Sequence, residues 1–260
     1  QIIKKKFNFK KVGHLGTLDP MAKGLLILAI NRATKFSSLL LQSNKSYYAE
    51  VTLGQQTDTD DAEGAITAIQ KVACKDQEVK TKLLAFLGES QQFAPAYSAL
   101  KHKGKPMYKY ARDGIRVDKE ARTITINQID HITIDLPKVS FDIACSKGTY
   151  IRSIARDLGN QLKCGGHLSD LIRTSQEKFS INDASSIDEV SEDKIIPLEN
   201  AFDNFNSITL DQDDVSAFIN GVALELKIDH SNLLRVYDPS KKFIAIGKNT
   251  SQGFKHEYLV

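Results

Sequence analysis

At 260 residues the chain has room for one large domain with or without a small companion, and a hydrophobic content of 41% supports a sizeable core without disulfide staples. No apolar run approaches the roughly 18 residues of a spanning helix, no secretory signal pattern is present, and three scattered cysteines (Cys74, Cys145, Cys164) make no disulfide framework, so the expectation is a soluble, cytoplasmic monomer. Lys and Arg number 35 against 32 Asp and Glu, and this net charge of +3 by itself argues against a nucleic-acid partner.

In chain order, residues 1–11 carry five lysines among apolar side chains. After a Gly-punctuated stretch, the apolar run 25–30 predicts a buried strand, 33–42 a helix and 46–54 an alternating strand. An acidic turn spans 57–64, helical periodicity covers 77–87, and 91–122 reads as irregular, basic and rich in Tyr, Gly and Pro. Segments 123–136 and 138–146 alternate around Pro137 and predict a hairpin. The spacing of Ile151, Ile154, Ala155, Leu158 and Leu162 predicts a helix over 149–162 with one apolar face. Beyond Pro197 come a short helix over 211–220, stopped by Gly221, and strand-like runs at 222–228, 233–237 and 243–247. The fold class is α/β of the mixed α+β kind with a mainly antiparallel sheet, and a small β-rich domain begins near residue 205.

Two segments could carry chemistry. In Gly13-His14-Leu15-Gly16-Thr17-Leu18-Asp19-Pro20 the glycines permit unusual backbone angles and Pro20 biases Asp19 towards an extended conformation. A carboxylate held there could act as nucleophile or general base, or it could merely bond its own backbone in a surface turn. In Cys145-Ser146-Lys147-Gly148-Thr149-Tyr150-Ile151-Arg152, Arg152 near a helix start could pair with a carboxylate or phosphate, or could be an exposed helix-start residue. No Walker A pattern accompanies Gly148-Thr149, which disfavours a nucleotide cofactor. Cys164-Gly165-Gly166-His167 has the spacing of half a zinc site, but no second pair follows, so no metal is expected.

Charge placement is more informative than net charge. Residues 1–49 hold nine Lys/Arg against Asp19 alone, and residues 101–123 hold eight (Lys101, Lys103, Lys105, Lys109, Arg112, Arg116, Lys119, Arg122) against three acids. Tyr97, Tyr108, Tyr110 and His102 lie in or beside the second segment. Cations interleaved with aromatics suit a phosphate backbone with unstacked bases, although such a run is also what a solvated face looks like. A lone acid among cations is favoured in its ionised form and stays available for chemistry.

The run KKVGHLGTLDPMAKGLLILAINRATKF resembles the signature of the TruB family, the tRNA pseudouridine-55 synthases, and KSYYAEVTLGQQTDTDDAEG, YSALKHKGKPMYKYARDGI, CSKGTYIRSIARDLG and CGGHLSDLIRT follow in the family's order over about residues 10–180. The resemblance implies a catalytic domain of the pseudouridine synthase type over 1–204, with an RNA-binding insertion at 95–123, and a PUA-like RNA-binding domain over 205–260. It implies isomerisation of uridine 55 in the tRNA T-loop by base flipping, with the T-arm stem-loop as partner and no cofactor. Asp19 would be the catalytic aspartate, Tyr47 would pack on the uracil and help remove a proton, and Arg152 would hold Asp19. Leu171 and Arg173 would line the substrate pocket, Tyr150 and Lys35 would support it, His14 would fill the space left by the flipped base, and Lys101, Lys105 and Arg112 would contact RNA. A guide-dependent synthase of the same superfamily and a tRNA-folding module without catalysis remain alternative readings. The sequence departs from the family at Asn31, where Gly is usual, and at Ala94, where Pro is usual. The family's N-terminal strand with Lys-Pro-x-Gly-x-Thr/Ser would precede Gln1, so the chain reads as starting downstream of a natural N-terminus.

Overall fold

The computed structural model describes residues 1–115, 117, 120–226 and 233–260. It divides into two compact units, one of residues 16–27 and 41–184, the other of residues 1–15, 28–40 and 185–260.

The first unit is built on a seven-stranded sheet. Its strands run in the order Phe179–Ser180, Gly166–Gln176, Lys45–Leu53, Lys138–Cys145, Arg122–Asp135 and Gly88–Gln92, each antiparallel to its neighbours, with Lys23–Gly24 added parallel to Gly166–Gln176. The predicted hairpin is present, with Asp135 opposite Lys138, and the strand predicted at 46–54 is Lys45–Leu53. Ala49, Val51 and Leu53 send alternate side chains into one core with Val139, Phe141 and Ile143. The helix Ile151–Gln161 lays its apolar stripe on that core, as its spacing requires, together with Val79 and Leu83 of the helix Asp76–Leu84.

That helix approaches the sheet closely because Gly159 has no side chain. A Cβ at Gly159 would lie 2.2 Å from both Gly165 C and Gly166 N. Alanine ordinarily stabilises a helix interior relative to glycine by about 1 kcal/mol. Here Gly159→Ala is expected to destabilise the protein by about 3 kcal/mol, since backbone must move to admit the methyl group. The corresponding drop in Tm is roughly 6–12 °C, and an unchanged Tm would show that the contact yields freely.

Three expectations need correction. The apolar run 25–30 is not one strand: residues 23–24 pair with the Gly166–Gln176 strand, and only Leu28–Ile30 forms a second short strand, opposite Val12–His14. Within 91–115 the chain is more ordered than its composition suggests, with a hairpin of Lys101–His102 and Lys105–Pro106 leading into the helix Met107–Arg112. Residues 222–226 contribute a single bridge, Leu224 to Phe254, in place of a strand, while Lys227 and Ile228 lie outside the described residues.

In the second unit, a four-stranded sheet has the order Ser207–Thr209, Leu234–Tyr237, Phe243–Thr250, Gly253–Leu259. The helix Gln212–Ile219 is capped by Asp211, whose side chain accepts from the Asp214 N–H, and it buries Val215 and Phe218 against this sheet. Helical residues 31–41 take a 3-10 form over Asn31–Phe36 before one α-helical turn, Ser37–Leu41, and Phe36 packs with Phe202, Phe243 and Ile246. Asn31 has φ +51, the left-handed region open to glycine and, among other residues, most readily to Asn. Its departure from the family pattern therefore costs little.

Candidate active site

Asp19 lies in the loop between Gly16 and the Lys23–Gly24 strand, and Arg152 lies in the first turn of the Ile151–Gln161 helix. They are 133 residues apart in sequence and meet as a fork: Arg152 Nε donates to Asp19 Oδ2 at 2.8 Å and Nη2 to Oδ1 at 2.9 Å. Such bidentate pairs fix direction as well as charge. The arginine side chain is 5% exposed and the aspartate 34%, so the cation is sealed below while the carboxylate remains reachable. The remaining Arg152 donors go to the carbonyls of Thr59 and Tyr97, each at 3.2 Å. Arg152 is therefore held by five hydrogen bonds to three residues and cannot swing away from Asp19 without breaking several of them.

A fourth partner was not legible in the sequence. Arg152 Nη1 stands 3.6 Å from Asp61 Oδ2, whose side chain is 6% exposed. Asp61 comes from the acidic turn 57–64, where its Oδ1 accepts from the Thr59 hydroxyl and from the Glu63 N–H, and the Thr57 hydroxyl donates to its carbonyl at 2.7 Å. Asp60 of the same turn takes Arg156 Nη1 at 3.0 Å, and the Leu168 N–H donates to the Asp60 carbonyl. The turn thus docks on the sheet and aims a second carboxylate at the helix arginine that holds Asp19. The signal was the density of acids in 57–64; which one turns inward is decided by the tertiary contacts.

Tyr47 ends the inward-facing series Tyr47, Ala49, Val51, Leu53, opposite Arg173, and Ala49 is opposite Leu171 on the neighbouring strand. Leu171 is 5% exposed and belongs to the core. Burial pushes the Tyr47 hydroxyl up to about 12, with the nearby Arg173 guanidinium opposing the shift and the Asp19 charge adding to it. Burial likewise raises Tyr150, whose surroundings include Arg122, Arg152 and Asp19. Tyr150 is held by a reciprocal pair, its N–H to Gln92 Oε1 at 2.8 Å and Gln92 Nε2 to its carbonyl at 3.1 Å. Lys45, beside Arg173, is lowered, first by burial and then by that guanidinium.

Because burial disfavours phenolate, Tyr47 keeps its proton well above about pH 10, the ordinary midpoint of a tyrosine. It packs against the core as a neutral phenol. A near-UV difference titration of wild type against Tyr47→Phe should show no missing phenolate at about pH 10. A difference there would mean that Tyr47 is ionised and that its burial does not raise the hydroxyl.

Asp19, Arg152, Tyr47, Tyr150, Leu171 and Arg173 are thus gathered in the first unit. Two basic residues of the 91–122 stretch have local partners: Lys105 pairs with Asp113 at 2.8 Å and covers Tyr110, and Arg112 lies over Tyr108. Lys101 is exposed, and Arg116 and Lys119 lie outside the described residues. His14 and Lys35 belong to the second unit, where both are exposed. Cys164 and His167, the half zinc spacing, bond the carbonyls of Gly165 and Gln55. Among the described residues no group of three or more His, Cys, Asp or Glu is placed to hold a metal ion.

A mainly antiparallel mixed sheet that presents a loop carboxylate forked by a buried helix arginine, beside a half-buried tyrosine, is the setting of a carboxylate-dependent enzyme. The model of the TruB family pseudouridylate synthase, N-terminal domain, matches residues 4–151, and the chain belongs to that family. It is 40% identical over 255 residues to the tRNA pseudouridine synthase B of Clostridium kluyveri, covering 95% of this chain and 88% of that protein. To the protein of the same name from Alkaliphilus oremlandii it is 37% identical over 274 residues, covering 99% of this chain and 90% of that protein. Among solved structures, an H/ACA RNP bound to a substrate RNA containing 2'-deoxyuridine has a chain of the same fold, with TM-score 0.71 and 23% identity over 99% of this chain and 78% of that one. A Cbf5-Nop10-Gar1 complex gives TM-score 0.69 and 24% identity at the same coverages.

Proposed function

We propose that this protein isomerises a uridine of tRNA to pseudouridine, and that its target is uridine 55 in the T-arm stem-loop. The observation that carries the reading is the Asp19 carboxylate, open to solvent on one side and oriented on the other by a buried Arg152 fork. The relatives named tRNA pseudouridine synthase B, at 37–40% identity over nearly the whole chain, support it. The H/ACA assemblies share the fold at 22–24% identity, which favours the stand-alone enzyme over a guide-dependent one.

The reaction breaks C1′–N1, turns the detached uracil and makes C1′–C5; the C5 hydrogen is lost and N1 gains one, so substrate and product are isomers. No redox partner or group donor is needed. The target base leaves its stack to reach the protein. Asp19 supplies the covalent step, Arg152 fixes its direction, and Tyr47 and Leu171 form the wall against which the uracil turns. Tyr150 supports that wall, and His14, Lys35, Lys101, Lys105 and Arg112 serve the RNA. Residues 95–123 act as an RNA-binding insertion of a catalytic domain spanning 1–204, and 205–260 as a PUA-like RNA-binding domain. The protein works as a cytoplasmic monomer.

The test is pseudouridine mapping of a T-arm stem-loop and of bulk RNA incubated with the purified protein and no guide RNA. Conversion confined to the T-loop uridine is expected. Conversion only in the presence of a guide, or none in wild-type protein, overturns the reading.

A further inference from the structure

Arg173 differs from the other cations of the pocket in where its hydrogen bonds go. It is 1% exposed, and two of its guanidinium nitrogens donate to main chain, Nε to the Leu25 carbonyl at 2.7 Å and Nη2 to the Gly16 carbonyl at 3.2 Å, while the group also hydrogen-bonds the Tyr47 side chain. These two acceptors stand on either side of Asp19 in sequence, at the two ends of the loop that carries it. Arg173 also holds the far end through its own backbone, because the Leu25 N–H donates to its carbonyl at 2.8 Å. Gly24, at φ +96, lies against the same peptide, so that a Cβ there would sit 2.4 Å from Arg173 O and 2.9 Å from its N. Across the sheet Arg173 is opposite Tyr47.

From this geometry we infer that Arg173 is a positioning residue, a two-point staple that closes the Asp19 loop onto the sheet and sets where the carboxylate stands relative to Tyr47. The assay of this inference rests on the function proposed above, but its structural arm does not. A planar guanidinium offers donors in a fixed fork that can reach two separate carbonyls at once. A lysine keeps the charge but presents one nitrogen on a flexible stem, and so releases one end of the loop. A misplacement of about 1 Å at a reacting group can lower a rate by roughly 10²-fold. A staple therefore acts on the chemical step, while contacts to RNA act on binding.

The experiment compares wild type, Arg173→Lys and Gly24→Ala. Gly24→Ala pushes the loop off the Arg173 backbone without altering the guanidinium. Both variants are expected to lower the single-turnover rate on a T-arm stem-loop by roughly 10²-fold with KM within about twofold of wild type. Amide exchange of the free protein should quicken by at least about tenfold at Ala22 in both variants and at Leu25 in Gly24→Ala, and stay unchanged at Phe141, a core residue, which separates release of the loop from general unfolding. A rise in KM at unchanged kcat would make Arg173 an RNA contact and overturn the inference, as would wild-type exchange at Ala22 in Arg173→Lys. If wild-type protein makes no pseudouridine, the functional reading fails and the exchange arm still decides the staple.

Discussion

Asp19→Asn protein is expected to retain its fold and its affinity for a T-arm stem-loop while its rate of pseudouridine formation falls by about 10⁴-fold or more, the scale on which enzymes lose a covalent nucleophile. The substitution is nearly isosteric. It removes one of three charges in the cluster of Asp19, Arg152 and Asp61, leaving the buried guanidinium matched by Asp61. One hydrogen bond of the fork is lost, since the new amide nitrogen faces an arginine donor. Asp19 is 34% exposed, so this loss is largely offset by water and the expected change in stability is small. The measurement pairs a single-turnover assay with a binding titration and a melting curve. An active Asp19→Asn protein would remove Asp19 from the chemistry, and an inactive but unfolded one would place its importance in folding.

Arg152→Met is expected to damage both activity and stability. Methionine fills much of the same space, but it leaves the Asp61 carboxylate, 6% exposed, with no cation and the carbonyls of Thr59 and Tyr97 without their donor. Removing one partner of a buried ion pair costs about 3–5 kcal/mol. At 2–4 °C per kcal/mol the Tm should fall by roughly 6–20 °C. The single-turnover rate should fall by about 10²-fold or more, because the carboxylate loses its direction. The double variant Arg152→Met, Asp61→Asn separates these effects: removing the orphaned charge should restore most of the Tm and none of the rate. Equal Tm values for the single and double variants would show that Asp61 is solvated well enough not to need Arg152.

Those parts of the fold whose side-chain period is unbroken were readable from the sequence. The helix Ile151–Gln161 repeats its apolar face at intervals of three and four, and the Lys138–Cys145 strand alternates cleanly beside Pro137. The Gly166–Gln176 strand escaped notice, although it carries Leu171 and Arg173, because Gly165 and Gly166 mimic a turn and a bulge between Leu168 and Asp170 breaks its alternation. In the run 25–30 hydrophobicity was visible, but the exchange of pairing partners was not. Asp19 and Arg152 could each be singled out from local context, and their pairing came only with the family resemblance. Asp61 needed the structure, since a dense acidic turn does not reveal which of its carboxylates faces inward. The same limit applies to Arg173, whose acceptors are carbonyls and so leave no mark on the sequence.

The Gly88–Gln92 and Arg122–Asp135 strands have a practical consequence for redesign. Gln92 and Arg122 are register partners, so the excursion over residues 93–121 leaves the sheet and returns to it at one rung of the ladder. Its opening part is anchored, since Phe93 accepts from Ser153 and Arg156 and Tyr97 accepts from Arg152. Beyond Ser98 the described bonds are mostly internal, as between Met107 and Leu100 or Lys105 and Asp113. Loop closure adds only about 0.6 kcal/mol for each doubling of length. The segment after Ser98 is therefore a natural graft point, where a relative's loop or a shortened linker can be exchanged while the rung at Gln92 and Arg122 keeps the sheet closed.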